Sequence, residues 1–146
     1  MPLRGWFEEP RQRPLINCTV ILPRLGAEAE LTLLVDTGAD RTMLAPMEVA
    51  LLGVDPRLLV EPGCASGVGG VVSAFRETAI ITFTDGLMAY RYQLPILIVT
   101  QETSGRATYS ILGRDILNRW HMNYRPTERR LEFDVVSADD SLDLDV

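Results

Sequence analysis

The sequence predicts a single, mainly β domain with one or two short helices. Short runs rich in β-branched and other apolar residues recur along the chain, and Gly, Pro and Asp separate them. Asp85-Gly86 lies between two such runs, which is a strong signal for a β-hairpin. Residues 46–52 and 114–120 have short helical patterns instead. With 146 residues, the chain is long enough for one domain to bury a core.

The predicted elements follow one another closely. Residues 15–22 and 30–36 suggest a first hairpin, because both are rich in β-formers and a glycine-containing link joins them. Residues 46–52 predict a short helix that ends at Gly53. The further β-rich segments are residues 58–60, 71–75, 79–84, 87–99, 109–112, 122–124 and 130–136. Residues 101–108 are predicted to form a polar loop.

The two ends of the chain differ in composition from the segment between them. Residues 1–14 contain several prolines and mixed charge, which predicts an extended N-terminal arm. Residues 15–136 are predicted to form the folded domain. Residues 137–146 are predicted to be an acidic C-terminal tail in which apolar residues alternate with Asp. Such a tail either adds an edge strand at a subunit interface or stays in solvent.

The composition argues against several classes of function. The net charge of −6 disfavours binding to nucleic acid. Cys18 and Cys64 are far apart and do not form a disulfide framework. Because His121 is the single histidine, the chain offers no convincing zinc site and no Cys-His or Ser-His pair. The apolar stretches are strand-sized and the N-terminus lacks the apolar core of a signal peptide, so we expect a cytoplasmic location and no membrane association.

Residues 33–40, Leu-Leu-Val-Asp-Thr-Gly-Ala-Asp, are the most informative stretch of the chain. An apolar run leads to Asp36 and then to a turn at Thr37 and Gly38. A carboxylate at the end of a buried strand is costly unless something uses it. The tripeptide alone can be an Asx-type turn that merely ends a strand. The apolar residues before it and Thr-Met-Leu at residues 42–44 favour a functional carboxylate.

Two further segments attract attention. Residues 66–71 are Ser-Gly-Val-Gly-Gly-Val. Their glycines give the backbone conformational freedom and leave its hydrogen-bonding groups accessible, which suits a loop that opens and closes on an extended peptide. A plain turn is the simpler interpretation. A phosphate-binding loop is a further alternative, but this segment lacks the Lys-Ser/Thr and the following helix that such a loop requires. Residues 111–117 place Gly113 and Arg114 between a short strand and a short helix, where Arg114 could equally be an ordinary surface residue.

Taken together, these three segments resemble the retropepsin-like aspartic peptidases, including their stand-alone bacterial members, in both order and spacing. The resemblance spans residues 31–120 and implies a closed β-barrel. It also implies a homodimer, because this chain has one Asp-Thr-Gly motif whereas the chemistry of these enzymes needs two Asp. Asp36, Thr37 and Gly38 would form the catalytic loop, with the Thr37 hydroxyl donated across the dimer. Residues 66–71 would form the flap that covers the substrate.

The resemblance also implies roles for residues outside the catalytic loop. Gly113 would let its segment pack closely behind that loop. Arg114 would reach Asp40 or the partner chain and stabilise the dimer. The residues implied to bind substrate are Ala39, Asp40, Gly67, Val68, Gly69 and Gly70.

The function implied by the resemblance is that of an aspartic endopeptidase that hydrolyses peptides or proteins with a water activated by two Asp36 carboxylates. No metal, cofactor, nucleic acid or membrane is expected to take part. One alternative keeps the fold and the dimer but makes the protein a binding or scaffold module with little turnover. Another is a small β-barrel interaction protein in which the motif is coincidental. The apolar candidates to line or back a substrate pocket are Leu44, Val68, Val71, Ile96 and Ile98.

Overall fold

A computed structural model describes residues 1–67, 70–101 and 109–145, and within these ranges it describes no side chains for residues 65–67 and 70–72. Its strands are β1 (Leu3–Arg4), β2 (Trp6–Glu8), β3 (Arg13–Leu22), β4 (Ala27–Val35), β5 (Met43–Leu44), β6 (Glu61–Gly67), β7 (Gly70–Thr84), β8 (Met88–Ile98), β9 (Ile111–Leu112), β10 (Trp120–Arg125), β11 (Arg130–Val135) and β12 (Asp140–Asp143). The helices are α1 (Pro46–Leu51) and α2 (Arg114–Leu117), with single 3-10 turns at Pro23–Leu25, Pro56–Leu58 and Pro126–Glu128. Within these ranges, neither α-helix is long and apolar enough to span a membrane.

Six strands close into a barrel, which confirms the predicted mainly β barrel fold. Strand β3 pairs with β4 on one side and with β7 on the other, both antiparallel. Strand β7 continues the ring to β8, and β8 pairs in parallel with the short β5. Strand β5 pairs with β9, which lies parallel to β4 and closes the ring.

The alternating pattern of apolar residues explains which face of each strand points into the barrel. In β3, every second residue from Ile16 to Leu22 is buried. At one end of the core, Trp120 donates to the Tyr92 hydroxyl at 2.7 Å, so the buried indole has a hydrogen-bond partner. Each fully buried large apolar side chain stabilises the fold by roughly 1.5–3 kcal/mol.

Both ends of the chain pair with the rest of the domain. Strand β1 joins β11 and β10 in a three-stranded sheet, and β2 pairs with the start of β3. Strand β12 lies antiparallel to β8 of its own chain, in register from Asp140↔Arg91 to Asp143↔Met88. The N-terminal arm is therefore extended, and residues 140–143 of the tail add an edge strand to β8 of the same chain, a pairing that the sequence analysis did not predict.

Several predicted boundaries are wrong in detail. Residues 58–60 do not form a strand, because Pro56 starts a 3-10 turn that Asp55 caps by accepting a hydrogen bond from the Arg57 amide. Residues 71–75 and 79–84 belong to one long strand rather than two. The helix predicted for residues 114–120 ends at Leu117, since Trp120 already starts β10. Of the predicted polar loop at residues 101–108, residues 102–108 lie outside the described residues.

Candidate active site

The catalytic loop predicted from the sequence lies where β4 leaves the barrel. Asp36 directly follows the buried Val35, and its amide donates to the Leu112 carbonyl at 3.0 Å. The Gly38 amide donates to Asp36 Oδ1 at 2.9 Å, and a β-carbon on Gly38 would approach that oxygen to 3.2 Å. Asp36 is half-buried, whereas Thr37 and Gly38 are exposed. The turn therefore holds a carboxylate in a fixed orientation at the barrel surface.

Gly113 lies behind this loop because β9 runs parallel to β4 and both strands end at the same edge. A β-carbon on Gly113 would lie 2.5 Å from the carbonyl carbon of Arg41 and 2.7 Å from its oxygen. The Gly113 amide donates to Thr42 Oγ1 at 3.2 Å, and the Arg114 amide donates to the Ala39 carbonyl at 2.8 Å. Only glycine fits a contact this close between two backbones.

Thr42 and Asp115 hold the two segments together, and the sequence analysis assigned neither a role. Thr42 is fully buried. Its amide donates to Asp115 Oδ2 at 2.8 Å, and its hydroxyl donates to Asp115 Oδ1 at 2.7 Å. Ser110, also buried, accepts a hydrogen bond from the Ala45 amide at 2.8 Å. Thr42 directly before the apolar residues 43–45, and Asp115 directly after Gly113-Arg114, are weak local signals, but neither indicates that the two side chains meet.

Arg114 reaches Asp40 of its own chain, one of the two contacts that the resemblance implied. Its guanidinium contacts the Asp40 carboxylate and donates to the Thr37 carbonyl at 2.7 Å. The Asp40 side chain is 84% exposed, so the ion pair adds little free energy. The guanidinium nevertheless bridges the Thr37 carbonyl and the Asp40 carboxylate, and so joins the two ends of the Asp36 loop.

The second predicted segment is a hairpin. Strands β6 and β7 pair in register from Glu61↔Arg76 to Gly67↔Gly70. Gly67 and Gly70 are thus the last pair of backbones described at its end. Val68 and Gly69, both predicted to bind substrate, lie outside the described residues.

Three of the five apolar candidates to line or back a pocket belong to the barrel core. Leu44, Ile96 and Ile98 are completely buried, so they could back a pocket but not line it. Val68 lies outside the described residues, and so does the side chain of Val71. The sequence pattern of a strand that is only two residues long, or that alternates, does not indicate which of its two faces contacts a ligand.

A cavity of about 450 Å³ opens beside the Asp36 loop. Its lining residues are Asp40, Arg41, Leu94, Pro95 and Asp115. Asp36 is not one of them. This cavity and the candidate catalytic carboxylate therefore do not coincide.

Comparison with solved structures identifies the fold. One similar structure is the EIAV protease in complex with the inhibitor HBY-793, which is 26% identical, covers 76% of this chain and 90% of its own, and gives a TM-score of 0.54. Another is a retropepsin-like aspartic protease from Rickettsia conorii, which is 16% identical, covers 91% of this chain and 88% of its own, and gives a TM-score of 0.59. No protein-family model and no curated protein sequence matches the chain. On the strength of these two structural neighbours, the chain has a retropepsin-like fold.

Proposed function

We propose that the protein is an aspartic endopeptidase that works as a homodimer and uses the Asp36 carboxylates of both subunits. One observation carries the proposal: in a retropepsin-like fold, the Asp-Thr-Gly turn presents a half-buried carboxylate that the Gly38 amide orients at 2.9 Å. The structural neighbours are aspartic proteases.

The chemistry follows from two carboxylates that share one proton. Like charges about 3 Å apart do not both ionise, so one carboxyl group keeps its proton while the other is a carboxylate. The carboxylate takes a proton from a water molecule, whose oxygen attacks the carbonyl carbon of the scissile peptide bond. The acid donates its proton to the carbonyl oxygen. When the tetrahedral intermediate collapses, a proton passes to the leaving nitrogen and the C–N bond breaks.

The second carboxylate has to come from a second chain, because the sequence contains one Asp-Thr-Gly motif. A two-fold axis beside the Asp36 loops would bring equivalent carboxylates together. The exposed side chain of Thr37 would then lie at the interface, where its hydroxyl would join the two loops. Gly113 and Arg114 would support the interface indirectly, since they fix the shape of the Asp36 loop in each subunit.

The proposed substrate is an extended peptide segment. Ala39 and Asp40 follow the catalytic turn directly, and Gly67 and Gly70 end the paired part of the β6–β7 hairpin. Backbone groups in such positions recognise a peptide by strand-like hydrogen bonds that depend little on its side chains. Val68 and Gly69 complete the proposed set of substrate-binding residues.

The decisive experiment replaces Asp36 and a matched control aspartate. Asp85 accepts hydrogen bonds from the Leu87 and Met88 amides, so it is an aspartate with an ordinary Asx-type turn. Asp36→Asn should lower peptide cleavage by at least about a thousandfold while leaving the fold intact. Asp85→Asn should leave cleavage unchanged. Cleavage of a peptide library, followed by mass spectrometry, measures both, and full activity in Asp36→Asn would refute the proposal.

A second measurement separates a peptidase from a scaffold of the same fold. A peptide inhibitor that contains statine mimics the tetrahedral intermediate and should bind with one molecule per two chains, as titration calorimetry can measure. A scaffold would bind ordinary peptides as tightly as the statine peptide and would cleave none of them.

A further inference from the structure

Glu77 is a buried carboxylate far along the chain from the Asp36 loop. Its side chain is 6% exposed, and it lies in β7. Arg24, in the 3-10 turn between β3 and β4, donates to both of its carboxylate oxygens, from Nε at 3.1 and 3.2 Å and from Nη2 at 2.6 Å. A buried charge is tolerated because a partner compensates it, and here the partner is a forked guanidinium.

The same guanidinium also holds a third segment. Nη2 of Arg24 donates to the Leu58 carbonyl at 2.6 Å. Leu58 ends the 3-10 turn that leads into β6, and the next residue, Leu59, is buried. Arg24 therefore joins the β3–β4 turn of the barrel to both strands of the β6–β7 hairpin, to β7 directly and to β6 through the segment that precedes it.

The pair lies at the root of that hairpin. The β6–β7 register ends at Glu61↔Arg76, and Glu77 is the next residue. Strand β7 meets β3 only from Ile80 onwards. Between these two positions β7 pairs with β8 alone, so the Arg24–Glu77 contact lies at the point where the hairpin leaves the barrel.

We infer that Arg24 is a positioning residue that, through Glu77 and the Leu58 carbonyl, sets the orientation of the β6–β7 hairpin on the barrel and thereby controls substrate turnover. The inference rests on the proposed peptidase function for its effect on turnover, and on geometry alone for its effect on the hairpin. At this root β7 stays paired with β8, whereas β6, among the described strands, pairs with β7 alone and is joined to the barrel beside the buried Leu59 by the hydrogen bond from Arg24 to the Leu58 carbonyl. The hairpin can therefore change its angle without unfolding the barrel. A displacement of the order of an ångström at a substrate-binding segment is enough to slow turnover.

The test replaces Arg24 and follows the hairpin directly. In Arg24→Gln, amide hydrogen exchange in residues 61–67 and 70–76 should become roughly tenfold faster, while exchange in β3 and β4 stays as in the wild type. Turnover relative to KM should fall roughly 10- to 100-fold, with a pH profile of unchanged shape. Arg24→Lys, which keeps the charge but not the fork, should be intermediate. Exchange is measured in the Asp36→Asn background as well, so that hairpin motion is read without catalysis.

Arg57→Gln is the matched control. Arg57 precedes Leu58, and its side chain is 90% exposed and contacts Asp55 on the outside of the same turn. It should change neither exchange nor turnover. If Arg24→Gln unfolds, Arg24→Leu combined with Glu77→Leu removes both charges and the Leu58 contact, and it should show the same local increase in exchange.

The outcomes separate the two proposals. If Arg24→Gln speeds exchange only in the hairpin while the wild type cleaves no peptide, the role of Arg24 in hairpin orientation is supported and the peptidase is refuted. Normal cleavage by wild type, with neither exchange nor turnover altered by Arg24→Gln, would refute the role of Arg24 alone. A uniform rise in exchange over the whole barrel would also refute it, because the pair would then act only on global stability.

Discussion

At the scale of single residues, Gly113 is the position where the site tolerates least change. A β-carbon there would overlap the Arg41 backbone at 2.5–3.0 Å, and a backbone cannot move aside as a side chain can. Gly113→Ala should therefore lower the free energy of unfolding by about 2–3 kcal/mol, as overpacking does elsewhere. Gly26→Ala is the comparison, since it has open space around the added carbon and only the strain of φ +61°, about 1 kcal/mol. Urea unfolding measures both, and equal losses would contradict the overlap.

Thr42 provides a second test at this scale. Thr42→Val keeps the shape of the side chain but removes the hydroxyl that joins Asp115 to the Gly113 amide. Buried polar groups left without partners should lower the free energy of unfolding by about 1–3 kcal/mol. Thr42→Ser keeps the hydroxyl and should lose less. Thermal unfolding of the two variants decides, and a serine variant that is less stable than the valine variant would mean that packing, not hydrogen bonding, holds this residue.

At the scale of elements, Asp139, which directly precedes β12, adds side-chain hydrogen bonds to the pairing of β12 with β8. Its carboxylate accepts from the Gln93 amide and from the Arg119 guanidinium, both at 2.8 Å. These contacts, the Gln93 hydrogen bond first, lower the pKa of Asp139 in the folded protein. A lowered pKa stabilises the fold above the unfolded value of about 4, and this contribution is lost as the pH falls through the folded pKa.

Asp139→Asn should therefore cost stability at neutral pH and cost little under strongly acidic conditions. Because the side chain is partly exposed, we expect a loss of at most about 1 kcal/mol at pH 7. Asp140→Asn, an exposed neighbour in β12, is the control and should change little. The denaturant midpoints of wild type and variant are compared from pH 2 to pH 7. This range includes the expected loss of the Asp139 contribution below about pH 4. A difference that stays constant over this range would show that Asp139 acts through packing and not through charge.

At the scale of the whole molecule, what could be predicted from the sequence depends on how far apart the cooperating residues are. The hairpin at Asp85-Gly86 and the turn at Asp36 follow from neighbouring residues, and both were predictable. The Thr42–Asp115 and Arg24–Glu77 contacts join residues 73 and 53 positions apart, and no local pattern indicates them. Trp120 looked helical because the apolar pattern of α2 continues into β10, where burial against Tyr92 decides its conformation.

The proposed chemistry depends on the proposed homodimer, and mixing subunits tests it. Wild type and Asp36→Asn are mixed at constant total concentration until subunits exchange, and cleavage is measured against the wild-type fraction. If both Asp36 carboxylates are required, activity follows the square of that fraction, so an equal mixture has about a quarter of the wild-type activity. If a single chain is sufficient, the equal mixture has about half. An unrelated inert protein in place of Asp36→Asn controls for dilution. A linear dependence would refute the shared site even if Asp36→Asn alone is inactive, because it would assign the whole reaction to one chain.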